Sequence, residues 1–94
     1  MVQFTKGEWH VGKAIGLGSG QLVYDKEGEL VANCMTFRRS AQEVKANATL
    51  IAQAPCLYDA LENLVEAIEQ PDARMVAQCK KDALRALSVA RGEV

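Results

Sequence analysis

Six of the seven glycines lie in the first 40 residues of this 94-residue chain, and none occurs from residue 41 to residue 91. Glycine costs a helix interior about 1 kcal/mol relative to alanine and is at home in turns and tight connections. The segregation therefore splits the chain into a turn-rich half and a half free to form long helices. The predicted class is α+β: a three-stranded antiparallel meander over residues 1–39 followed by three helices over residues 40–92, in a single domain spanning 1–94.

In the first half, Glu8-Trp9-His10-Val11 reads as a short strand, closed by the loop Gly16-Leu17-Gly18-Ser19-Gly20, and Gln21-Leu22-Val23-Tyr24 as a second strand. Asp25-Lys26-Glu27-Gly28 places aspartate at the first position of a type I turn and glycine where a positive φ is needed. Leu30 to Met35 then returns antiparallel as the third strand.

Ser40-Ala41-Gln42-Glu43 matches a capping box and starts a helix at residue 41. Val44, Ala48, Ile51 and Ala54 fall along one face, and Pro55 forces a break because it lacks a donor and clashes with the preceding turn. Leu57, Leu61, Leu64, Val65 and Ile68 recur at helical spacing, which predicts a second, amphipathic helix with a continuous apolar stripe. After the turn Gln70-Pro71-Asp72, with Asp72 as cap, a third helix fits residues 73 to 91. Its buried line is Val76, Cys79, Ala83, Leu87 and Ala90; Arg85 and Arg91 sit toward its negative end, and Gly92 suits the position after its last turn. The second and third helices are expected to form a hairpin against the sheet or against a partner subunit. Alanine-rich faces over residues 46–54 and the small size of the chain favour a homodimer.

Composition excludes more than it assigns. A net charge of −1 provides no global basic field, so direct nucleic-acid binding is not expected. No run is long and apolar enough for a membrane span, and MVQFTKGEW lacks a signal-peptide core, so the chain reads as a cytoplasmic protein. Cys34, Cys56 and Cys79 are odd in number and widely spaced, which predicts free thiols. The sequon Asn47-Ala48-Thr49 has no meaning in that compartment.

A tryptophan near the start, the hairpin YDKEGELVA and the run EVKANATLIAQAPCLYDALENLVEAI together resemble a widespread group of small phage and prophage proteins. These share a tryptophan-containing strand, a D-x-x-G-x-x-V-A hairpin and the helical signature E-A-x-A-N-A-x-L-I-A-x-A-P-x-L-L-x-A-L. Here Trp9, Asp25, Gly28, Val31, Ala32, Glu43, Ala46, Asn47, Ala48, Leu50, Ile51, Ala52, Ala54, Pro55, Leu57, Ala60 and Leu61 carry the match, over about two thirds of the chain. It departs at Tyr58, where leucine is usual, and at Val44, where alanine is usual. The resemblance implies phage or prophage origin and a small α+β domain. It implies no particular activity, because a packing motif does not dictate a partner. Asn47 sacrifices helix propensity, and a hydrogen bond to a strand or loop carbonyl would account for it.

No catalytic apparatus is evident. Gly16, Gly18 and Gly20 are followed by a strand, not by the helix N-terminus a phosphate loop requires. His10, Cys34, Cys56 and Cys79 lack chelate spacing, so no metal or cofactor is expected, and neither histidine nor cysteine has an orienting partner at motif spacing. Trp9 reads as an anchor for the sheet and not as a stacking platform.

The pattern above background is acidic. Asp59, Glu62, Glu66 and Glu69 follow one another at three, four and three residues, along one side of the second helix. With Asp72 they make five negative charges, and no lysine or arginine occurs between Lys45 and Arg74. Either the row is a solvated face partly neutralised by Arg74, Lys80, Lys81 and Arg85, or it offers carboxylates to a basic groove on another protein. The functional expectation is a non-enzymatic phage accessory protein. It binds a host protein, such as a nucleic-acid-binding nuclease or defence component, through Asp59, Glu62, Glu66 and Glu69. The alternative is a self-assembling structural or regulatory module.

Overall fold

Three short strands, β1 (His10–Lys13), β2 (Gln21–Tyr24) and β3 (Leu30–Asn33), precede three helices, α1 (Ala41–Ala52), α2 (Ala54–Glu69) and α3 (Ala73–Ala90). This is the architecture of a computed structural model that describes residues 3–13, 21–34, 36, 38–69 and 72–93. The sheet is an antiparallel meander in the order β1-β2-β3, with His10 opposite Tyr24 and Lys13 opposite Gln21 in the first pair. In the second pair Leu22 faces Asn33 and Tyr24 faces Leu30, with a bulge between Val23 and Tyr24 that leaves Val31 unmatched.

The second hairpin forms as the residues demand. Asp25 is buried; its Oδ1 accepts from the amides of Glu27 and Glu29, both at 2.9 Å, while its carbonyl accepts from Gly28 at 3.1 Å. Gly28 has φ +87, where a side chain would be strained. The strand boundaries differ from expectation. β1 starts at His10, not Glu8, because Tyr24 ends β2 as the chain turns into the Asp25 loop, so a partner further upstream has nothing to pair with. β3 ends at Asn33. The glycine loop 16–20, Met35 and the Gln70-Pro71 step lie outside the described residues.

Helix ends follow side-chain chemistry. Ser40 Oγ accepts from the Glu43 amide at 3.1 Å. The reciprocal half of the capping box is replaced, because the Glu43 carboxylate pairs with the Arg39 guanidinium at 3.0 Å. The break before α2 falls at Gln53, two residues ahead of Pro55, which occupies the first turn of α2 where no amide donor is needed. Asp72 Oδ1 accepts from the Arg74 amide at 2.9 Å. At the other end of α3, Gly92 (φ +77) and Glu93 donate to Val89 and Ser88 carbonyls in a Schellman arrangement. Arg91 is the capping residue of α3 and pairs with Glu93, while Arg85 lies more than a turn inside the helix.

The core is small and lies between the sheet and α1. Val23, fully buried, packs with Ala48 and Ala52; Trp9, Val31, Ala32, Cys34 and Ile51 surround them. Trp9 precedes β1, is half-buried in this cluster, and donates from its indole to the Thr5 carbonyl at 3.2 Å. On α1 the buried line is Val44, Ala48 and Ala52, with Ile51 half-buried and Ala54 exposed. The expected seating of the second and third helices on the sheet is not what forms. α1 covers β2 and β1, while α2 and α3 pack chiefly on each other and touch α1. The result is elongated, 51 × 28 × 18 Å, with a radius of gyration of 15.6 Å, against about 12 Å for a compact chain of this length.

Helix α2 therefore buries only part of its stripe. Ala67 is fully buried and Leu57 and Leu64 half-buried, but Leu61 and Ile68 are each 62 % exposed and Val65 is exposed too. On α3, Ala90 is buried and Val76, Cys79 and Ala83 half-buried, whereas Leu87 is exposed. These side chains were expected to form the buried lines of the two helices. Leu61, Val65, Ile68 and Leu87 remain open because a two-helix hairpin with alanine at its seam closes through a narrow contact.

Gly12 provides a test of the sheet. A Cβ there would stand 2.5 Å from Tyr24 Cε2, and the Tyr24 ring is itself stacked on His10 with centroids 5.9 Å apart. Gly12→Ala should destabilise the protein by about 1–3 kcal/mol in urea denaturation. The loss should shrink in a Tyr24→Ala background, where the obstructing ring is gone.

A candidate protein-binding face on helix α2

The capping of α2 by the Gln53 carbonyl, which accepts from Leu57 at 2.9 Å, sets the phase of the helix relative to α1. With 3.6 residues per turn, three sectors result. Ala60, Leu64 and Ala67 turn toward α3. Tyr58, Leu61, Val65 and Ile68 form an exposed apolar lane. Asp59, Glu62, Glu66 and Glu69 form a second lane beside it, and all four are exposed.

Among the described residues, ion pairs join Arg39 to Glu43 and Arg91 to Glu93, and none involves the acidic row. Arg74, Lys80, Lys81 and Arg85 are all exposed on α3 and do not reach these carboxylates within ion-pair distance. Two cationic side chains share grooves with the head of the row. Lys6 lines a shallow groove with Asp59 and Glu62, and Arg85 shares the α2–α3 groove with Asp59. Like charges three and four residues apart on a helix repel by a few tenths of a kcal/mol per pair, and among the described residues no paired cation offsets it.

The segment ahead of β1 braces this head. Phe4 meets Tyr58 edge-on, with centroids 4.9 Å apart and planes at 71°. Phe4, Trp9, Ala54, Pro55 and Tyr58 line a small apolar hollow of about 230 Å³. Nothing in the spacing of the sequence joins Phe4 to Tyr58, so this contact was missed. The negative row acts on Tyr58, whose phenol is raised above its ordinary pKa of 10.0, first by the charge of Glu62, then by loss of solvent, with Asp59 a smaller contributor.

The other candidates are scattered. His10 lies on the sheet against Tyr24. The three cysteines are free: Cys34 packs at the rim of the core, Cys56 is exposed, and the Cys79 thiol donates to the Asn63 carbonyl at 3.6 Å. Among the described residues no group of three or more histidine, cysteine, aspartate or glutamate side chains is placed to hold a metal ion. No helix among them is long and apolar enough to cross a membrane. Asn47 is exposed beside Asn33, Cys34 and Thr36 across an open hollow. Among the described residues its side chain makes no hydrogen bond to a strand or loop carbonyl. Ala46 and Thr49, on the outer side of α1, line a cleft with Ala90 at the end of α3.

The chain matches, over residues 1–94, the family described as Salmonella phage P22 protein Y8K6, and it belongs to that family. No curated protein and no solved structure matches it.

The electrostatics of the row can be read through Tyr58. Forming a phenolate beside a carboxylate is unfavourable, so Glu62→Gln should lower the Tyr58 pKa toward its ordinary value in an ultraviolet titration. An unchanged titration would place the Glu62 charge away from the phenol.

Proposed function

We propose, on the premise of this phage family membership, that the chain is a non-enzymatic accessory protein that binds a host protein in the host cytoplasm through the acidic lane of α2. The observation that carries this reading is the continuous exposure of Asp59, Glu62, Glu66 and Glu69 with no ion-pair partner among the described residues. In a chain of net charge −1, the four carboxylates concentrate negative charge along one helix edge. A partner with a basic groove is steered to that edge from a distance and held there in a salt-sensitive complex.

A nucleic-acid-binding host protein, such as a nuclease or defence component, has the matching chemistry. The row sets four charges over about 15 Å of helix axis, sparser than the one charge per about 3.4 Å of a nucleic-acid strand. Such a row competes for a basic groove with moderate strength, and neighbouring contacts such as the Tyr58 ring would add to it. The apolar lane beside the row favours a second reading, a self-assembling structural or regulatory module.

Asp59 and Glu66 lie furthest from the apolar lane, so reversing them tests the acidic edge alone. Tagged wild-type protein should capture from host lysate a nucleic-acid-binding protein that salt or excess duplex DNA releases. Asp59→Lys/Glu66→Lys should weaken that capture on the order of tenfold or more with helix content unchanged. Capture that is absent, or indifferent to the reversals, would overturn the reading.

A further inference from the structure

We propose that the α2–α3 hairpin pairs face to face with the hairpin of a second copy of this chain, forming a four-helix bundle in which α2 of each copy lies along α3 of the other. The inference rests on the apolar face and on the charge division between the helices, and is independent of the host-binding reading.

Cys56, Asn63, Arg85 and Val89 are among the residues lining one groove between the two helices. By helical phase, Leu61 and Ile68 lie on the opposite side of α2's contact with α3, and Leu84 and Leu87 on the opposite side of α3's contact with α2. Both helices thus offer apolar side chains on the same face of the hairpin. Leu61 and Ile68 are 62 % exposed and Leu84 54 %, with Val65 and Leu87 exposed beside them. A contiguous patch of this kind on an elongated small chain marks a protein contact.

Charge identifies the occupant. α2 carries four acidic residues and no basic one, a balance of −4; α3 carries Arg74, Lys80, Lys81 and Arg85 against Asp82, a balance of +3. A twofold axis parallel to the helices lays each α2 on the partner copy's α3 and brings opposite charges together. An axis across the helices would lay α2 on α2, and acidic row on acidic row. The first arrangement is self-complementary and isologous. Lys80, four residues before Leu84, stands in the exposed lane of α3, and Glu62 and Glu69 border the apolar lane of α2. These are the charges nearest the seam, while Asp59 and Glu66 stay outside it.

Light scattering on the full chain tests the pairing. Wild-type protein should have twice the 10.2 kDa chain mass. Leu61→Glu and Ile68→Glu should each weaken association on the order of tenfold or more, with circular dichroism unchanged because both side chains are largely exposed in the single chain. Glu62→Lys/Glu69→Lys should loosen the pair, and adding Lys80→Glu/Lys81→Glu in the same chain should restore it. A monomeric wild type, a dimer indifferent to Leu61→Glu and Ile68→Glu, or a Glu62/Glu69 reversal that tightens association would overturn the proposal. The Leu61→Glu monomer retains Asp59 and Glu66, so host capture by that variant separates this outcome from the fate of the acidic edge.

Discussion

The close seating of Val23 between Ala48 and Ala52 is the contact on which the rest of the structure depends. Alanines on α1 let its backbone approach the middle strand, so one valine side chain is removed from water completely, a gain of about 1.5–3 kcal/mol. Trp9 and Ile51 close the sides of that contact. The sheet has four-residue strands and, among the described residues, α1 is the helix that covers it, so its register and the direction in which α1 leaves it are both decided there. Beyond Gln53 the chain runs outward from this seam, braced by the contacts of α2 and α3 with α1 and of Phe4 with Tyr58.

Features governed by neighbouring residues were legible in the sequence. The Ser40 cap, the Asp25–Gly28 turn, the Asp72 cap and the Gly92 terminus each join groups within a few positions, and each forms where the side-chain chemistry demands. The exposure of Asp59, Glu62, Glu66 and Glu69 was legible for the same reason, since three- and four-residue spacing places them on one side of any helix. The apolar lane was not. Periodicity shows that Leu61, Val65 and Ile68 share a side, but it does not say whether the chain itself covers that side. The start of β1 was misplaced because pairing length is set by β2, and the Phe4–Tyr58 contact has no local signal because it depends on where the first segment lands.

The segregation of charge between the two hairpin helices gives a nearly neutral chain two strongly polarised edges. Within one chain no ion pair among the described residues joins these edges, although Asp59 and Arg85 line one groove between the helices. A polarised hairpin of this sort discriminates by orientation: one approach joins unlike edges, and the reverse joins like ones. A contact made through these edges would respond to ionic strength more than the fold, which rests on alanine, valine and tryptophan contacts.

Gln53 ends α1 and begins α2 at once: its amide donates to the Thr49 and Leu50 carbonyls, and its own carbonyl receives the Leu57 amide. An elbow one residue long has no slack. Inserting or deleting a single position there would rotate the whole outer arm by roughly 100° about its axis, swinging both of its lanes to new bearings while leaving each helix intact. The aim of the arm is thus a property of chain length at one joint.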